Sequence, residues 1–251
     1  MRTVFITGAS SGLGRGLCLH YAKEGATVFA AARRKDELVR LAAEAAGGSI
    51  VPVPLDVQDA EALVRAIRRA EEEAGGALDL VIANAGIGQP TPARKMDWQV
   101  VKRIFDVNVT AACVTLAAAL PKMIERNAGH VVAVSSLAAF RGLPGNATYC
   151  ASKAALHTWM ESVRVDLRST RVRATTIYPG FVKTEMTAKN RLPMPFLMEL
   201  DAAVQVMARG LSRGAKTISF PLPMSALTRL LGALPRGLYE PLAGRVGAPS
   251  R

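Results

Sequence analysis

Short apolar runs alternate with longer segments in which apolar residues recur every three or four positions. The first cycle reads "TVFITGA", "GRGLCLHYAKEG" and "ATVFAAA", and similar cycles continue as far as "VRATTIYPG" and the short run "KTISFP". Runs that are apolar on both faces are typical of strands in a buried parallel sheet, and the longer period is typical of amphipathic helices. The pattern therefore predicts a doubly wound α/β fold, in which a seven-stranded parallel sheet carries helices on both faces.

The last quarter of the chain has a different texture. No repeat or linker divides the sequence, so we expect a single domain over residues 1–251. A segment rich in Met, Pro and Leu predicts a substrate lid at about 186–210, with a plain surface helix as the alternative. An apolar tail punctuated by arginines follows at about 222–251, and it could cover the active site, contact a second subunit or lie on a membrane.

Composition narrows the class of protein. The chain is 50% hydrophobic and 21% charged, which is typical of a globular protein. Three separated cysteines predict no disulfide framework and a cytoplasmic location, and the longest uncharged run, residues 107–121, is shorter than a membrane span requires. The net charge of +12 favours an anionic partner: a phosphorylated cofactor, an acidic lipid surface or nucleic acid. A solvated basic surface explains the scattered arginines equally simply.

A glycine-rich loop, "TGASSGLG", follows the first predicted strand and opens the first helix. Gly8 permits a tight turn, Gly12 lets the backbone approach a pyrophosphate, and Gly14 lets the helix pack closely on the strand. The helix amino terminus offers free N–H groups and a positive dipole end to phosphates. The loop predicts a dinucleotide site, with a purely structural turn as the alternative; its residues are Gly8, Ser10, Ser11, Gly12, Leu13 and Gly14.

The end of the second strand bears on which cofactor is bound. A carboxylate at this position would accept hydrogen bonds from a ribose 2′-OH and repel a 2′-phosphate. Here Ala32 occupies the position, and Arg33 and Arg34 follow it. Because guanidinium groups match phosphate geometry, the stretch favours NADP (NADPH) over NAD. Surface arginines at a helix start are the alternative.

Five motifs occur in an order and spacing that resemble those of the short-chain dehydrogenase/reductase family. They are "TGASSGLG", "ANAG" at residues 83–86, "VSS" ending at Ser136, "YCASK" at residues 149–153 and "YPG" at residues 178–180. The resemblance covers roughly Thr3 to Met186 and implies a Rossmann fold, so it agrees with the fold that the hydrophobic pattern predicts.

The resemblance assigns catalytic roles to four residues. It makes Tyr149 the proton donor and acceptor, Lys153 its activator, Ser136 the hydroxyl that orients a carbonyl, and Asn108 a polar support. Physical chemistry agrees with the Tyr149–Lys153 pair, because residues four apart share a helix face. A free tyrosine has a pKa of about 10, and we expect the nearby cation to lower it.

The resemblance also implies further cofactor contacts. It places the carboxylate of Asp56, with backbone help from Val57, against the adenine. A loop lines the adenosine ribose, and a segment after the sixth strand holds the nicotinamide beside Tyr149 and Lys153. The residues of these two segments are Asn84, Ala85 and Gly86, and Pro179, Gly180, Val182 and Thr184.

Together these features predict an NADP-dependent oxidoreductase that interconverts a secondary alcohol and a ketone, or reduces an aldehyde, on an apolar small molecule. The expected substrate contacts are Ser136, Leu137, Leu143, Tyr149 and Met186. No metal is expected, because the three histidines form no cluster. A homodimer is favoured, whereas a nucleic-acid partner and peripheral membrane contact through the tail are not. A non-catalytic NADP-sensing regulator and a membrane-associated binding protein on the same fold are the alternatives.

Overall fold

The protein is described by a computed structural model covering residues 2–188 and 194–247, and in these residues seven parallel strands form one sheet. The strands are β1 (Thr3–Thr7), β2 (Thr27–Ala32), β3 (Ser49–Pro54), β4 (Leu80–Ala83), β5 (Gly129–Val134), β6 (Val172–Pro179) and β7 (Thr217–Phe220). Their order is β3-β2-β1-β4-β5-β6-β7. The predicted doubly wound sheet and its seven strand positions are therefore confirmed.

Helices cover both faces of the sheet. They are α1 (Gly12–Lys23), α2 (Lys35–Ala43), α3 (Ala60–Glu73), α4 (Trp98–Phe105), α5 (Ala111–Glu125), α6 (Ala147–Asp166), α7 (Glu185–Ala188), α8 (Leu200–Ser212), α9 (Leu222–Ala233) and α10 (Arg236–Gly247). A π-helical turn, Asp106–Thr110, joins α4 to α5, and a short 3₁₀ turn, Leu137–Ala139, follows β5.

The alternation of side chains along each strand explains why both faces are apolar. Val4 and Ile6 of β1 lie in one core cluster together with residues of α1 and α8, whereas Phe5 lies in a second cluster with residues of α3 and α5. The strands β1, β2, β4, β5 and β6 each contribute buried side chains to both clusters, and burial of this apolar surface stabilises the layered arrangement.

The strand order places a crevice at the carboxyl ends of β1 and β4. The chain leaves β1 toward β2 on one side, while β4 pairs with β1 on the other side. The connections that follow these two strands therefore run to opposite sides, and ligands of doubly wound folds bind at this point. The glycine loop follows β1, and the loop of residues 83–86 follows β4, so both line the crevice.

One continuous helix is longer than the uncharged run predicts. It extends over the 28 residues Trp98–Glu125, and an 18-residue stretch within it has a mean hydropathy of 1.6, so length and composition alone would allow a membrane span. The helix exceeds the uncharged run because it begins with charged turns around Lys102 and Arg103. Since α5 packs against α3, β4 and β5, the fold itself covers the apolar side of this helix.

Residues 200–210 of the predicted lid form part of a core helix. They belong to α8, which packs on α1 and buries Met207 and Leu211 in the core. This packing accounts for their apolar periodicity, and the substrate lid at about 186–210 stays a prediction. Residues 189–193 of the predicted lid and residues 248–251 of the predicted tail lie outside the described residues.

The tail forms α9 and α10, which lie against the loop between Ser136 and Tyr149. Arg141 donates a hydrogen bond to the Gly232 carbonyl at 3.3 Å, and its guanidinium lies 4.1 Å from the centre of the Tyr239 ring. Both helices also expose apolar side chains to solvent; these are Leu222, Leu227, Leu230, Leu238 and Leu242. Contact with a second subunit or a membrane, the homodimer and the cytoplasmic location stay predictions.

Candidate active site

The four predicted catalytic residues converge at the carboxyl edge of the sheet. Ser136 follows β5, Tyr149 and Lys153 lie one turn apart on α6, and Asn108 lies in the π-helical turn. The Lys153 Nζ atom is 5.8 Å from the centre of the Tyr149 ring. Lys153 Nζ and Asn108 Oδ1 each lie 3.4 Å from the position of a Cβ built on Gly86. Residues separated by up to 45 positions thus share one site.

Lys153 is a buried cation whose hydrogen-bond acceptor is a backbone carbonyl at the end of β5. Its Nζ atom donates to the carbonyl of Val134 at 2.9 Å, and the residue is only 4% exposed. Burial penalises the ammonium form and lowers the pKa of Lys153 to about 8. The side chain is therefore mostly charged at neutral pH and loses its proton in the mildly alkaline range.

The expected lowering of the Tyr149 pKa is wrong: the surrounding protein groups leave this pKa above its ordinary value. Burial raises the pKa of Tyr149, and a hydrogen bond with the Ser136 side chain offsets this only in part. Lys153 lies beside the ring, 5.8 Å from its centre, and does not outweigh the loss of hydration. Tyr149 consequently keeps its proton at neutral pH, as a proton donor must.

Asn108 positions the loop that follows β4. Its Oδ1 atom accepts a hydrogen bond from the Ile87 N–H at 2.8 Å, and its Nδ2 atom donates to the Ile87 carbonyl at 3.0 Å and to Ser152 Oγ at 3.0 Å. The amide is completely buried, so these contacts replace its hydration. The π-helical turn widens the helix at this residue. Sequence reasoning missed Ile87 and Ser152, although Ser152 lies within the "YCASK" motif.

The glycine loop packs tightly against the end of β4. Gly8 has a φ of +68°, and a Cβ on Gly14 would lie 2.3 Å from the Gly8 carbonyl oxygen and 2.5 Å from Asn84 Nδ2. Asn84 Nδ2 donates to the Thr7 carbonyl at 2.9 Å, and the Thr7 hydroxyl accepts from the N–H groups of Asn84 and Ala85. Thr7, which sequence reasoning missed, therefore joins the glycine loop to the loop of residues 83–86.

The amino end of α1 fits the pyrophosphate of a nicotinamide dinucleotide. In the part of the chain that the structure describes, Ser11 makes no side-chain hydrogen bond to the helix, and the first turn carries no acidic residue. The first N–H groups therefore remain available to an anion. Gly12 has a φ of +53°, and Thr184 Cγ2 lies 3.2 Å from where its Cβ would be. Leu13 is partly buried and packs against the core.

The two arginines after β2 lie beside the other predicted adenosine contacts. Arg33 Nη1 is 3.9 Å from Asp56 Oδ2, and Arg34 Nε donates to Ser10 Oγ at 3.2 Å. Arg34 Nη1 also forms an ion pair of 3.1 Å with Glu185, the first residue of α7. Sequence reasoning missed Glu185, which is 151 positions from Arg34. The guanidinium group of Arg34, which is predicted to contact a 2′-phosphate, is therefore paired with a carboxylate.

Val57 and the segment after β6 complete the predicted cofactor contacts. Val57, the residue after Asp56, is buried. The Pro179 carbonyl lies 3.4 Å from Ser136 Oγ, and the Gly180 N–H donates to the Phe220 carbonyl at 2.7 Å. The remaining two residues, Val182 and Thr184, are held by hydrogen bonds to the Thr187 hydroxyl. The segment therefore passes from Ser136 to the glycine loop with its backbone fixed.

The apolar candidates for substrate contact differ in exposure. Leu137 is 2% exposed, whereas Leu143 and Met186 are 41% and 50% exposed. The Tyr149 ring and the Met186 sulfur both lie within 4 Å of the position that a Cβ on Gly88 would occupy. Met186 is therefore close to the Tyr149 ring, whereas Leu137 has almost no surface that a substrate could contact.

Comparison of the sequence with known protein families identifies the class of protein. Residues 2–194 match the family described as short chain dehydrogenase. The chain therefore belongs to the short-chain dehydrogenase/reductase family of oxidoreductases, and the resemblance noted from its motifs is confirmed.

Relatives extend over most of the chain. An uncharacterized oxidoreductase of Myxococcus xanthus (strain DK1622) is 55% identical over 247 residues, which are 98% of this chain and 97% of that protein. The ketoacyl reductase HetN of Nostoc sp. is 36% identical over 199 residues, covering 78% of this chain and 69% of that protein.

Solved structures share the fold and differ in the cofactor they contain. A Burkholderia cenocepacia J2315 short chain dehydrogenase in complex with NADP has a TM-score of 0.82 and 28% identity, covering 99% of this chain and all of that one. A Burkholderia phymatum short chain dehydrogenase/reductase in complex with NAD has a TM-score of 0.85 and 22% identity, covering 100% and 98%. The second, at this identity, shows the fold alone.

Proposed function

We propose that this protein is an NADPH-dependent oxidoreductase that interconverts a secondary alcohol and a ketone, or reduces an aldehyde, on an apolar small molecule. The observation that carries the proposal is the convergence of Tyr149, Ser136 and Lys153 at the carboxyl edge of the sheet. A hydroxyl that keeps its proton, a second hydroxyl bonded to it and a buried cation together suit reduction of a carbonyl.

Each side chain has a distinct task. The substrate oxygen accepts hydrogen bonds from Ser136 and Tyr149, which hold the carbonyl in place. Tyr149 gives its proton to that oxygen, and the Lys153 ammonium stabilises the resulting phenolate. Asn108 fixes the loop in front of Lys153 through Ile87. When bound, the nicotinamide cofactor supplies or accepts the hydride.

An apolar substrate is supported by the surface next to Tyr149. Leu143 and Met186 are exposed there, and Met186 approaches the same glycine as the tyrosine ring. The name of the Nostoc relative, a ketoacyl reductase, agrees with a ketone as substrate. We further propose that the chain acts as one domain and assembles as a homodimer through the helices of Asn108 and Tyr149. Apolar side chains remain exposed on both: Trp98 and Ile124 on the first and Val165 on the second.

The preference for NADP rests on Arg33 and Arg34. Both guanidinium groups are exposed at the end of β2, where the strand offers no carboxylate. Solved neighbours include complexes with NADP and with NAD, so the arginines carry this part of the proposal. The dissociation constants of NADPH and NADH, measured by nicotinamide fluorescence, test it: tighter binding of NADH would contradict the assignment.

Substitution of Tyr149 tests the chemistry. Tyr149→Phe removes the proton donor but keeps the ring, so we expect turnover to fall about 10³-fold while the NADPH dissociation constant changes little. The assay follows NADPH oxidation with a panel of apolar ketones and aldehydes. Tyr239→Phe is the matched control, since Tyr239 bonds the Gly142 carbonyl from the tail. Full activity of Tyr149→Phe would disprove the proposed mechanism.

A further inference from the structure

A cavity of about 500 Å³ opens at the amino ends of the central strands, on the edge of the sheet opposite the catalytic residues. Arginines from three separate parts of the chain line it. Arg2 precedes β1, Arg126 follows α5, and Arg171 and Arg173 lie at the start of β6. Asp79, which precedes β4, is the acidic residue of the lining.

The charges in this cavity are unbalanced. Four arginines and one aspartate leave three positive charges in excess. Asp79 pairs with Arg126 at 3.1 Å and also accepts a hydrogen bond from the Thr3 N–H, so its charge is already engaged. Among the residues that the structure describes, no carboxylate lies within 4 Å of the other three guanidinium groups. Like charges gathered in this way repel one another unless an anion lies between them.

Local structure fixes the positions of these side chains. Arg126 donates hydrogen bonds to the carbonyls of Ala77, Leu78 and Ala128 at 2.7, 2.9 and 3.2 Å. The guanidinium of Arg2 lies 4.9 Å from the centre of the Tyr21 ring. Arg171 lies just before β6 and donates its backbone N–H to Asn127 Oδ1 at 2.8 Å, and Arg173 is the second residue of β6. A binding group that is already ordered loses little entropy when a ligand arrives.

The positive charge of the arginines also affects a buried histidine beneath the cavity. His130 is fully buried and lies opposite Arg173 in the pairing of β5 with β6. Burial and then the positive charges of Arg173 and Arg2 lower the pKa of His130 to about 3. The histidine therefore stays neutral and adds no further positive charge beneath the arginines.

We propose that this cavity binds a small polyanion that carries at least two phosphate groups. The arginine forks match phosphate oxygens, and the volume is in the range of small-molecule sites. A concave site favours a compact ligand over an extended one. The cavity and the glycine loop lie at opposite ends of the same strands, so this site is separate from the cofactor site.

Titration of the full chain with sodium tripolyphosphate by isothermal calorimetry tests the proposal. We expect one saturable site in the wild type and binding weaker by about tenfold or more in Arg171→Gln/Arg173→Gln. The control Arg68→Gln/Arg168→Gln removes the same charge from exposed positions outside the cavity and should bind as the wild type does. NADPH binding should be equal in all three proteins, which keeps this test independent of the proposed activity.

Several results would overturn the proposal. Equal weakening in both double variants would assign the binding to overall charge, and no saturable heat in the wild type would reject the site. Tighter binding of a DNA oligonucleotide or of phosphatidylglycerol vesicles than of tripolyphosphate would indicate a macromolecular or lipid surface instead. If the double variant fails to fold, judged by NADPH binding, Arg2→Gln replaces it with the same expected loss.

Discussion

The proposed catalytic residues and the two arginines after β2 lie at the same edge of the sheet but are held in opposite ways. Lys153 and Asn108 are buried, and their polar atoms bond to groups inside the protein. The side chains of Arg33 and Arg34 are 68% and 46% exposed and form ion pairs at 3.9 and 3.1 Å. Losing a buried partner costs more than losing an exposed one. We therefore expect abrupt losses in the catalytic region and graded changes in the arginine region.

We expect the largest effect of a single substitution at Gly14, in the glycine loop that packs against Asn84 at the end of β4. A Cβ at this position would lie 2.3 Å from the Gly8 carbonyl oxygen, which belongs to rigid backbone. We expect Gly14→Ala to lower the free energy of unfolding by about 3 kcal/mol and to abolish NADPH binding. Urea denaturation and a fluorescence titration measure the two effects.

Gly237→Ala is the matched control for the glycine loop. No described atom lies within 4 Å of a Cβ placed on Gly237, which is in the first turn of α10. The control should keep wild-type stability or gain up to about 1 kcal/mol. A Gly14→Ala protein as stable as this control would show that the loop can move apart, and the close packing would then have little effect.

The buried network around Asn108 gives the next largest effect. Asn108→Ala leaves the N–H and carbonyl of Ile87 without their partner inside the protein. We expect a loss of about 2 kcal/mol in unfolding free energy and a fall of about 100-fold in turnover, with NADPH affinity nearly unchanged. Gln205→Ala, on the exposed side of α8, is the control. A comparable loss of NADPH affinity would contradict the separation between the two regions.

Local patterns predicted the parts of the molecule that depend on neighbouring residues. Strand positions follow from runs that are apolar on both faces, and the Tyr149–Lys153 pair follows from the helical period. The glycine positions follow from the backbone that a tight strand-to-helix turn requires. These features depend on residues close together in the sequence and not on contacts across the fold, so they can be predicted from local patterns.

The features that sequence reasoning missed depend on contacts between distant residues. Asn108 and Ser152 are 44 positions apart, and Arg34 and Glu185 are 151 apart, so no spacing rule pairs them. The raised pKa of Tyr149 depends on burial, which is a property of the folded chain. The same holds for residues 200–210, because an apolar helix face in the sequence gives no indication that α1 covers it.

The two regions should also differ in their response to pH. Burial lowers the pKa of Lys153 to about 8, so its charge is present below that pH and lost above it. We expect kcat/KM for carbonyl reduction to fall by up to about tenfold per pH unit above pH 8. NADPH affinity should stay constant there as far as it depends on the arginines, because guanidinium groups remain charged. A profile that is flat to pH 9.5 would remove Lys153 from the proposed mechanism.

The smallest effect is expected at the ion pair between Arg34 and Glu185. Glu185→Gln removes the carboxylate that pairs with Arg34 at 3.1 Å and that, under the proposed NADP preference, would compete with a 2′-phosphate for this guanidinium. Because the pair is exposed, we expect only about a threefold gain in NADPH affinity, reduced at high salt, and no change for NADH. Glu199→Gln is the control, since Glu199 pairs with Lys183 in the same part of the chain. If NADH affinity rises as much as NADPH affinity, then Glu185 shapes the loop after β6 and does not compete with phosphate.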